Sequence, residues 1–182
     1  RHPAGSVPCR AEGQHQFGEL EGYAEGRGRI KSTQLKKDDV ESLEIRDFKS
    51  IGPAQRVTFG ALTVLSGANS TGKSTLMQPI LLLKQTLDSP FDPGPLRLAD
   101  PNVNISSTSQ LISQVPGARR DGFEFCFGLV GGGRIRLEFS YKAGQGLDVE
   151  SMDSKSSGGR QVSLRKGMTA KEIHSAFTPH LG

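Results

Sequence analysis

A glycine-rich loop carries the residues of this sequence that are best suited to chemistry. Residues 65–76 read LSGANSTGKSTL and match the pattern G-x-x-x-x-G-K-[ST], with Gly67, Gly72, Lys73 and Ser74 in register. A polyphosphate needs several backbone N–H donors that converge on it, no Cβ in the way, and the positive end of a helix behind it. The loop therefore predicts a site for the phosphates of a nucleotide.

Each fixed position of the loop has its own predicted role. Gly67 allows a sharp turn, and Gly72 allows the backbone to approach the phosphates. Lys73 supplies a mobile ammonium group for the β- and γ-phosphates, and the Ser74 hydroxyl binds Mg²⁺. Thr75 can reach the α-phosphate side. The alternative interpretation is a glycine-rich turn, capped by serine and threonine, that precedes an ordinary helix.

Apolar segments on both sides of the loop must position it. Residues 61–66, ALTVLS, are nearly all apolar and β-prone, as in a central parallel strand that is covered on both faces. Residues 73–87 are apolar around most of their circumference, which predicts a buried helix. Pro79 is expected to kink this helix or to limit its first turn. Alternating residues at 43–45 and 57–59, with a Gly-Pro turn between them, predict a half-buried, hairpin-like pair.

A polar connection follows the predicted helix. Residues 88–105 form a long segment rich in Pro, Asp and Asn. Residues 106–114 predict a short helix, in which Ser107 and Gln110 have the spacing of a capping box.

The last third of the chain predicts antiparallel strands. Residues 121–166 alternate apolar and polar side chains in several runs joined by glycine-rich turns, which is typical of a β-meander. The triplet Gly131-Gly132-Gly133 is a hairpin turn in this interpretation, because neither a lysine nor a helix follows it. Thr169 and Glu172 have capping-box spacing, so a final helix is predicted over residues 170–177.

The overall composition limits the classes of protein to which the chain can belong. The sequence has 182 residues, 34% of them hydrophobic and 23% charged, and no apolar run approaches the roughly 18 residues of a membrane-spanning helix. We therefore expect a cytoplasmic protein without a membrane partner. The net charge of +4 permits contact with nucleic acid but is too small to argue for it. Residues 1–38 predict a flexible leader, and residues 39–182 predict the folded domain.

A family resemblance rests on residues 43–87. A strand ends in the turn Phe48-Lys49-Ser50, a second strand and an apolar strand follow, and Asn69 occupies the third position of a G-x-N-x-x-G-K-[ST]-[ST] loop. This order resembles the N-terminal half of ABC-type ATPase heads of the RecF, SMC and OLD-like group. The continuation over residues 81–113 looks like a bacterial subgroup of stand-alone ATPases, several of which occur beside nucleases in defence operons. The implied fold is α/β, a P-loop NTPase whose N-terminal lobe carries an antiparallel β-meander subdomain.

The resemblance also implies cofactors, partners and site residues. ATP and Mg²⁺ are the implied cofactors, and an ATP-bound homodimer that acts on DNA or on a nuclease partner is the implied assembly. In such ATPases a loop glutamine senses the γ-phosphate and Mg²⁺; Gln110 and Gln114 are the nearest candidates, with a capping or surface role as the alternative. Lys49 and Ser50 are further candidates for contact with the nucleotide. The predicted phosphate-binding residues are Gly67, Asn69, Ser70, Thr71, Gly72, Lys73, Ser74 and Thr75.

One part of a hydrolytic site is missing from the sequence. ATP hydrolysis needs a positioned water and a further Mg²⁺ contact, normally from an Asp-Glu pair at the end of an apolar strand. No such run occurs, and Asp38-Asp39 precedes a predicted strand rather than ending one. We therefore expect an ATPase lobe whose catalytic base lies beyond residue 182. The alternatives are a nucleotide-dependent binding module without turnover, and another P-loop class such as a kinase or GTPase, against which Asn69 and the meander argue.

Overall fold

The structure is a computed structural model that describes residues 39–69, 71–92, 94–99 and 102–178. The predicted leader and Ser70 lie outside these ranges. In chain order the elements are β1 (Val40–Arg46), β2 (Gln55–Thr58), α1 (Lys73–Leu87), a 3₁₀ turn (Thr108–Leu111), β3 (Gly122–Leu129), β4 (Gly133–Lys142), β5 (Gly146–Lys155), β6 (Gln161–Arg165) and α2 (Ala170–Phe177).

The six strands form one sheet in the order β2-β1-β3-β4-β5-β6. Every neighbouring pair is antiparallel. The predicted hairpin-like pair is confirmed as β1 and β2, and the predicted meander is confirmed as the four strands β3 to β6. Turn residues Gly131 and Gly132 join β3 to β4 with positive φ angles of 94° and 88°, as the predicted hairpin turn requires. The parallel part of the predicted α/β fold does not form within the described ranges.

Residues 61–66 do not form the predicted central parallel strand. They have no regular secondary structure, and the side chains of Leu62 and Val64 are 80% and 76% exposed. The apolar side chains of this segment favour burial. A strand also needs a neighbouring strand, about 4.8 Å away, that pairs with its N–H and C=O groups. No described strand lies beside this segment. The prediction is therefore wrong because the segment has no strand to pair with, although its residues favour β-structure.

An aromatic cluster forms the centre of the core. Phe123 and Phe139 stack on neighbouring strands with ring centroids 4.8 Å apart, and Phe125 lies beside both. Phe48, from the turn after β1, packs against Phe123 and Phe125 at 5.3 and 5.1 Å. All four side chains are almost completely buried. Tilted contacts of this kind add about 0.5–1.5 kcal/mol per pair beyond the burial of area, so the cluster fixes the turn that contains Phe48.

The predicted helix over residues 73–87 is confirmed as α1, with the same bounds. It continues through Pro79, so the expected limit on its first turn is not observed. Its burial is smaller than predicted, since Pro79, Leu82 and Gln85 are buried whereas Leu87 is 82% exposed. The described chain does not cover all of the apolar surface of the helix. How much of a helix is covered depends on the elements that pack against it, and the periodicity of its own sequence does not contain this information.

The two remaining helical predictions have different outcomes. The helix predicted over 106–114 is a 3₁₀ turn at Thr108–Leu111. Its predicted capping box does not form, since Ser107 Oγ accepts from the Ser109 N–H at 3.4 Å and the Gln110 amide donates to Ser106 Oγ at 3.0 Å. The predicted capping box of α2 is confirmed: Thr169 Oγ1 accepts from the Glu172 N–H at 3.3 Å, and the Glu172 carboxylate accepts from the Thr169 N–H at 2.7 Å. Neither α1 nor α2 has the length and apolar character that a bilayer-spanning helix requires.

Candidate functional site

The turn after β1 anchors the glycine-rich loop to the sheet. Phe48 is buried in the aromatic cluster, and the Lys49 N–H donates to Leu111 O at 2.9 Å. Lys49 adopts a left-handed φ of 52°, which directs the following Ser50 towards α1. Ser50 Oγ lies 3.4 Å from Thr75 Oγ1, in hydrogen-bond contact. The core is thereby connected to the first turn of α1 through two residues.

Two glycines give the loop a shape that other residues would disturb. Gly67 has a φ of 152°, and a Cβ at this position would lie 3.1 Å from Thr71 Oγ1. Gly72 is the N-cap of α1 with a left-handed φ of 88°, and a Cβ there would lie 3.4 Å from Ser50 Oγ. These positions match the predicted roles of a turn and a close backbone approach.

The ammonium group of Lys73 lies inside the loop. Its Nζ donates to Gly67 O at 2.7 Å and to Ala68 O at 2.5 Å. Thr71 Oγ1 also donates to Ala68 O, at 2.9 Å. The lysine side chain thus folds back from the first helical residue across the space that the loop encloses, which is the position from which an ammonium group can contact a bound phosphate.

The N-terminus of α1 is open to an anion. Gly72 provides no side-chain cap, and no acidic residue lies in the first turn. The first N–H groups of a helix have no partner within the helix and carry its partial positive charge. The helix start, Lys73 and the loop backbone therefore converge on one region with the electrostatics of a phosphate site.

A cavity of about 480 Å³ adjoins the loop. Both Lys73 and Ser74 line it, so the Ser74 hydroxyl is accessible as a metal ligand. The remaining lining residues are Leu65, Met77, Gln78, Leu81, Asn102, Val103 and Asn104. Asn102 and Asn104 were not among the predicted site residues, because the connection 88–105 carries no recognisable motif. The signal that could have identified them is the polar-apolar alternation N-V-N-I at residues 102–105.

The structure brings most, but not all, of the predicted site residues together. The described loop residues and Ser50 lie around the start of α1, whereas the predicted ligand Ser70 lies outside the described residues. Burial lowers the pKa of the nearby Lys49 ammonium group. Asn69 is exposed in the loop. Gln110 is exposed, bonds to Ser106 and does not line the cavity beside Lys73, which supports the surface role that was its alternative.

The donor set fits Mg²⁺ bound together with phosphate better than a metal held by protein alone. No group of three or more His, Cys, Asp or Glu side chains that could hold a metal occurs among the described residues. Mg²⁺ keeps several waters and usually takes one or two protein ligands plus phosphate oxygens. Ser74 at the cavity provides one such ligand, and Mg²⁺ bound there would neutralise phosphate charge.

A protein-family model matches residues 62–163, more than half of the chain. Its description is "AAA domain, putative AbiEii toxin, Type IV TA system". The matched region begins within the exposed 61–66 segment, contains the whole glycine-rich loop and α1, and extends into β6. No curated protein sequence matches the chain.

Proposed function

Because this chain belongs to that family of AAA domains and contains a P-loop ATPase-type domain, we propose that it binds ATP with Mg²⁺ through residues 67–75. The family supports a nucleotide-binding ATPase domain, and the loop geometry supports the assignment to particular residues.

The observation that carries the proposal is the position of Lys73. Its ammonium group contacts the carbonyl oxygens of Gly67 and Ala68, at the start of the loop, while its backbone begins α1 at the end of the loop. A bound phosphate would exchange these two neutral acceptors for negatively charged oxygens, which attract the ammonium group more strongly at the same distance because opposite charges face each other. The Lys73 ammonium group is therefore already positioned in the loop, and its present hydrogen bonds to carbonyl oxygens are weaker than those that it would form with a bound anion.

The finer assignment within P-loop proteins rests on the resemblance to ABC-type heads. Phe48-Lys49-Ser50, Asn69 and the β-meander support the RecF, SMC and OLD-like group. We extend the proposal accordingly to a cytoplasmic ATPase that dimerises with ATP and acts with DNA or a nuclease in defence or DNA maintenance. The contact between Ser50 and Thr75 supports this extension, because it connects the aromatic-Lys-Ser turn to the phosphate loop.

A second candidate function is a nucleotide-dependent binding module that does not hydrolyse ATP. The observation in its favour is that no described strand presents an Asp-Glu pair at its end, near the loop. In this case bound ATP would stabilise the complex of the domain with a partner. The free energy of ATP binding, rather than of ATP hydrolysis, would then control whether the complex forms.

Equilibrium binding of a fluorescent ATP analogue tests the nucleotide site. Lys73→Ala should weaken binding in the presence of Mg²⁺ by about tenfold or more, since a hydrogen bond to a charged group contributes about 1.5–3 kcal/mol. Lys171→Ala removes an exposed lysine of α2 and is the matched control, which should leave the affinity unchanged. Equal affinity of wild type and Lys73→Ala would contradict the proposed function.

A further inference from the structure

Resting on the proposed nucleotide site, we propose that Asn102 and Asn104 bind the γ-phosphate end of the nucleotide together with Lys73 and Ser74. Gln85 is the positioning residue that holds the two asparagines there. The four proposed ligand residues line the same cavity of about 480 Å³, although the asparagines follow Lys73 by some thirty residues in sequence.

The backbone conformation determines where the two asparagines lie. Val103 and Ile105 are only 6% and 3% exposed and belong to the core, whereas Asn102 and Asn104 between and beside them are exposed. Alternate residues of an extended segment point to opposite sides. A bridge between Ala99 and Asn104 and a hydrogen bond from the Ile105 N–H to Leu98 O at 2.8 Å keep this segment extended. Burial of the two apolar side chains therefore turns both amides outwards.

Gln85 fixes this segment against α1. Its side chain is 2% exposed, and its amide donates to Val103 O at 3.2 Å and also to Arg97 O. Its Oε1 accepts from the Val103 N–H at 3.1 Å. The adjacent Thr86 Oγ1 accepts from the Arg97 N–H at 2.9 Å. Both ends of the segment 97–103 are thus bonded to one turn of the helix.

The face of α1 that carries Gln85 leads directly to the phosphate loop. Ser74, Gln78 and Leu81 line the cavity, and their spacing of three and four residues, which Gln85 continues, places them on one side of a helix. The Gln78 Oε1 atom is buried, and it has no hydrogen-bond partner among the described residues. Gln78 is therefore a lining residue whose amide oxygen is buried and unpaired among the described residues, which is unusual for a buried acceptor.

The chemistry of the lining suits the terminal phosphate. Neither asparagine amide makes a hydrogen bond to any described residue, so each can donate to a ligand. No carboxylate is among the described residues that line the cavity, and Lys73 is its cation. Ser74, the proposed Mg²⁺ ligand, lies on this side, which is where the β- and γ-phosphates share the metal. Neutral amides here can donate to γ-phosphate oxygens or accept from a metal-bound water.

Comparison of ATP and ADP affinities tests the proposal. The measured quantity is the ratio of the dissociation constant for ADP to that for a non-hydrolysable ATP analogue, both with Mg²⁺ and the full chain. In the double variant Asn102→Ala/Asn104→Ala this ratio should fall about tenfold, because two donors to a charged group are removed while the ADP contacts remain. Gln145→Ala, in the exposed turn between β4 and β5, is the control.

The positioning role of Gln85 has its own readout. Gln85→Leu should lower the same ratio in the wild-type background. It should have no further effect in the double asparagine variant, because Gln85 acts on the γ-phosphate only through the two asparagines that this variant has already lost. Thr86→Val, which removes the acceptor for the Arg97 N–H, repeats the test with a smaller structural change. A purely structural role would reduce both affinities equally and leave the ratio unchanged.

The outcomes separate this inference from the function on which it rests. If Lys73→Ala weakens the binding of both nucleotides while the double asparagine variant keeps the wild-type ratio, the asparagine assignment is overturned and the nucleotide site stands. If Lys73→Ala changes neither affinity, both proposals are overturned. A reduced ratio with unchanged ADP affinity supports both.

Discussion

Gln85 binds Val103 through both polar groups of the Val103 backbone. The Gln85 amide donates to Val103 O at 3.2 Å, and Gln85 Oε1 accepts from the Val103 N–H at 3.1 Å. One glutamine side chain thus replaces the neighbour that this extended segment would have in a sheet. Because Gln85 belongs to α1, the helix that begins at the phosphate loop also determines where the segment after it returns.

Replacement of Gln85 should destabilise the domain strongly. Gln85→Leu leaves the N–H and C=O groups of Val103 buried without partners, and each such group costs about 1–3 kcal/mol. We expect the free energy of unfolding, measured by urea denaturation, to fall by about 2 kcal/mol or more. Gln145→Leu, at an exposed turn, should have little effect. Equal stability of the two variants would show that the Gln85 contacts contribute nothing to stability.

The first residue of β3 should tolerate no side chain. A Cβ at Gly122 would lie 2.1 Å from Phe139 O and 2.2 Å from Arg119 Nη2. Because the first of these atoms is backbone, strands β3 and β4 would have to separate, and Gly122→Ala should lower the free energy of unfolding by about 2 kcal/mol or more. Gly158→Ala is the matched control, since its Cβ would meet only Ser156 Oγ at 3.9 Å. Urea denaturation of both variants provides the comparison.

Stability should depend on pH through Glu138. Burial raises the pKa of this carboxyl group, but the hydrogen bond and charge of Arg119, the charge of Arg136 and the hydrogen bond from Ser151 outweigh burial and leave the pKa below its ordinary value of 4.5. A lowered folded-state pKa stabilises the fold fully above the unfolded-state pKa, and this contribution is lost as the pH falls through the folded-state value.

Glu138→Gln should therefore be less stable than wild type at neutral pH, with a difference that narrows below about pH 4.5. Urea midpoints of both proteins measured between neutral and acidic pH test this expectation. A difference that stays constant across the range would assign the effect to packing rather than to ionisation.

The 182-residue chain on its own should not hydrolyse ATP above background. The sequence lacks an apolar strand that ends in an Asp-Glu pair, so the chain has no recognisable group to orient and activate the attacking water. Phosphate release measured with purified protein, with Lys73→Ala as the blank, tests this prediction. Turnover that Lys73→Ala abolishes would reveal a catalytic base elsewhere in these residues.

ATP should promote dimerisation of this protein. Lys73 is the cation among the described residues that line the cavity, and this lysine together with Mg²⁺ leaves part of the negative charge of ATP unneutralised, so contacts from a second subunit would be favourable. Light scattering with a non-hydrolysable ATP analogue and Mg²⁺ should show an increase in mass that Lys73→Ala prevents. A mass that is the same with and without nucleotide would rule out the dimerisation switch.

Local sequence determined the features that depend on neighbouring residues. The bounds of α1 follow from Gly72, the lysine after it and a largely apolar stretch, and the capping box of α2 follows from Thr169 and Glu172. The meander follows from period-two alternation between glycine turns. In each case the residues that stabilise one another lie a few positions apart or on adjacent strands of a hairpin. The local sequence pattern is therefore enough to predict the interaction.

Only the tertiary structure decided which apolar segments find a partner and which polar ones reach the site. Residues 61–66 have the composition of a buried strand, yet Leu62 and Val64 are exposed because no described strand lies beside them. Conversely, Asn102 and Asn104 line the cavity because Gln85 bonds to Val103 across 18 residues of sequence. Propensity and residue spacing indicate which kinds of partner a segment can pair with. Whether it finds such a partner depends on contacts between residues far apart in sequence, and these contacts form only when the whole domain packs.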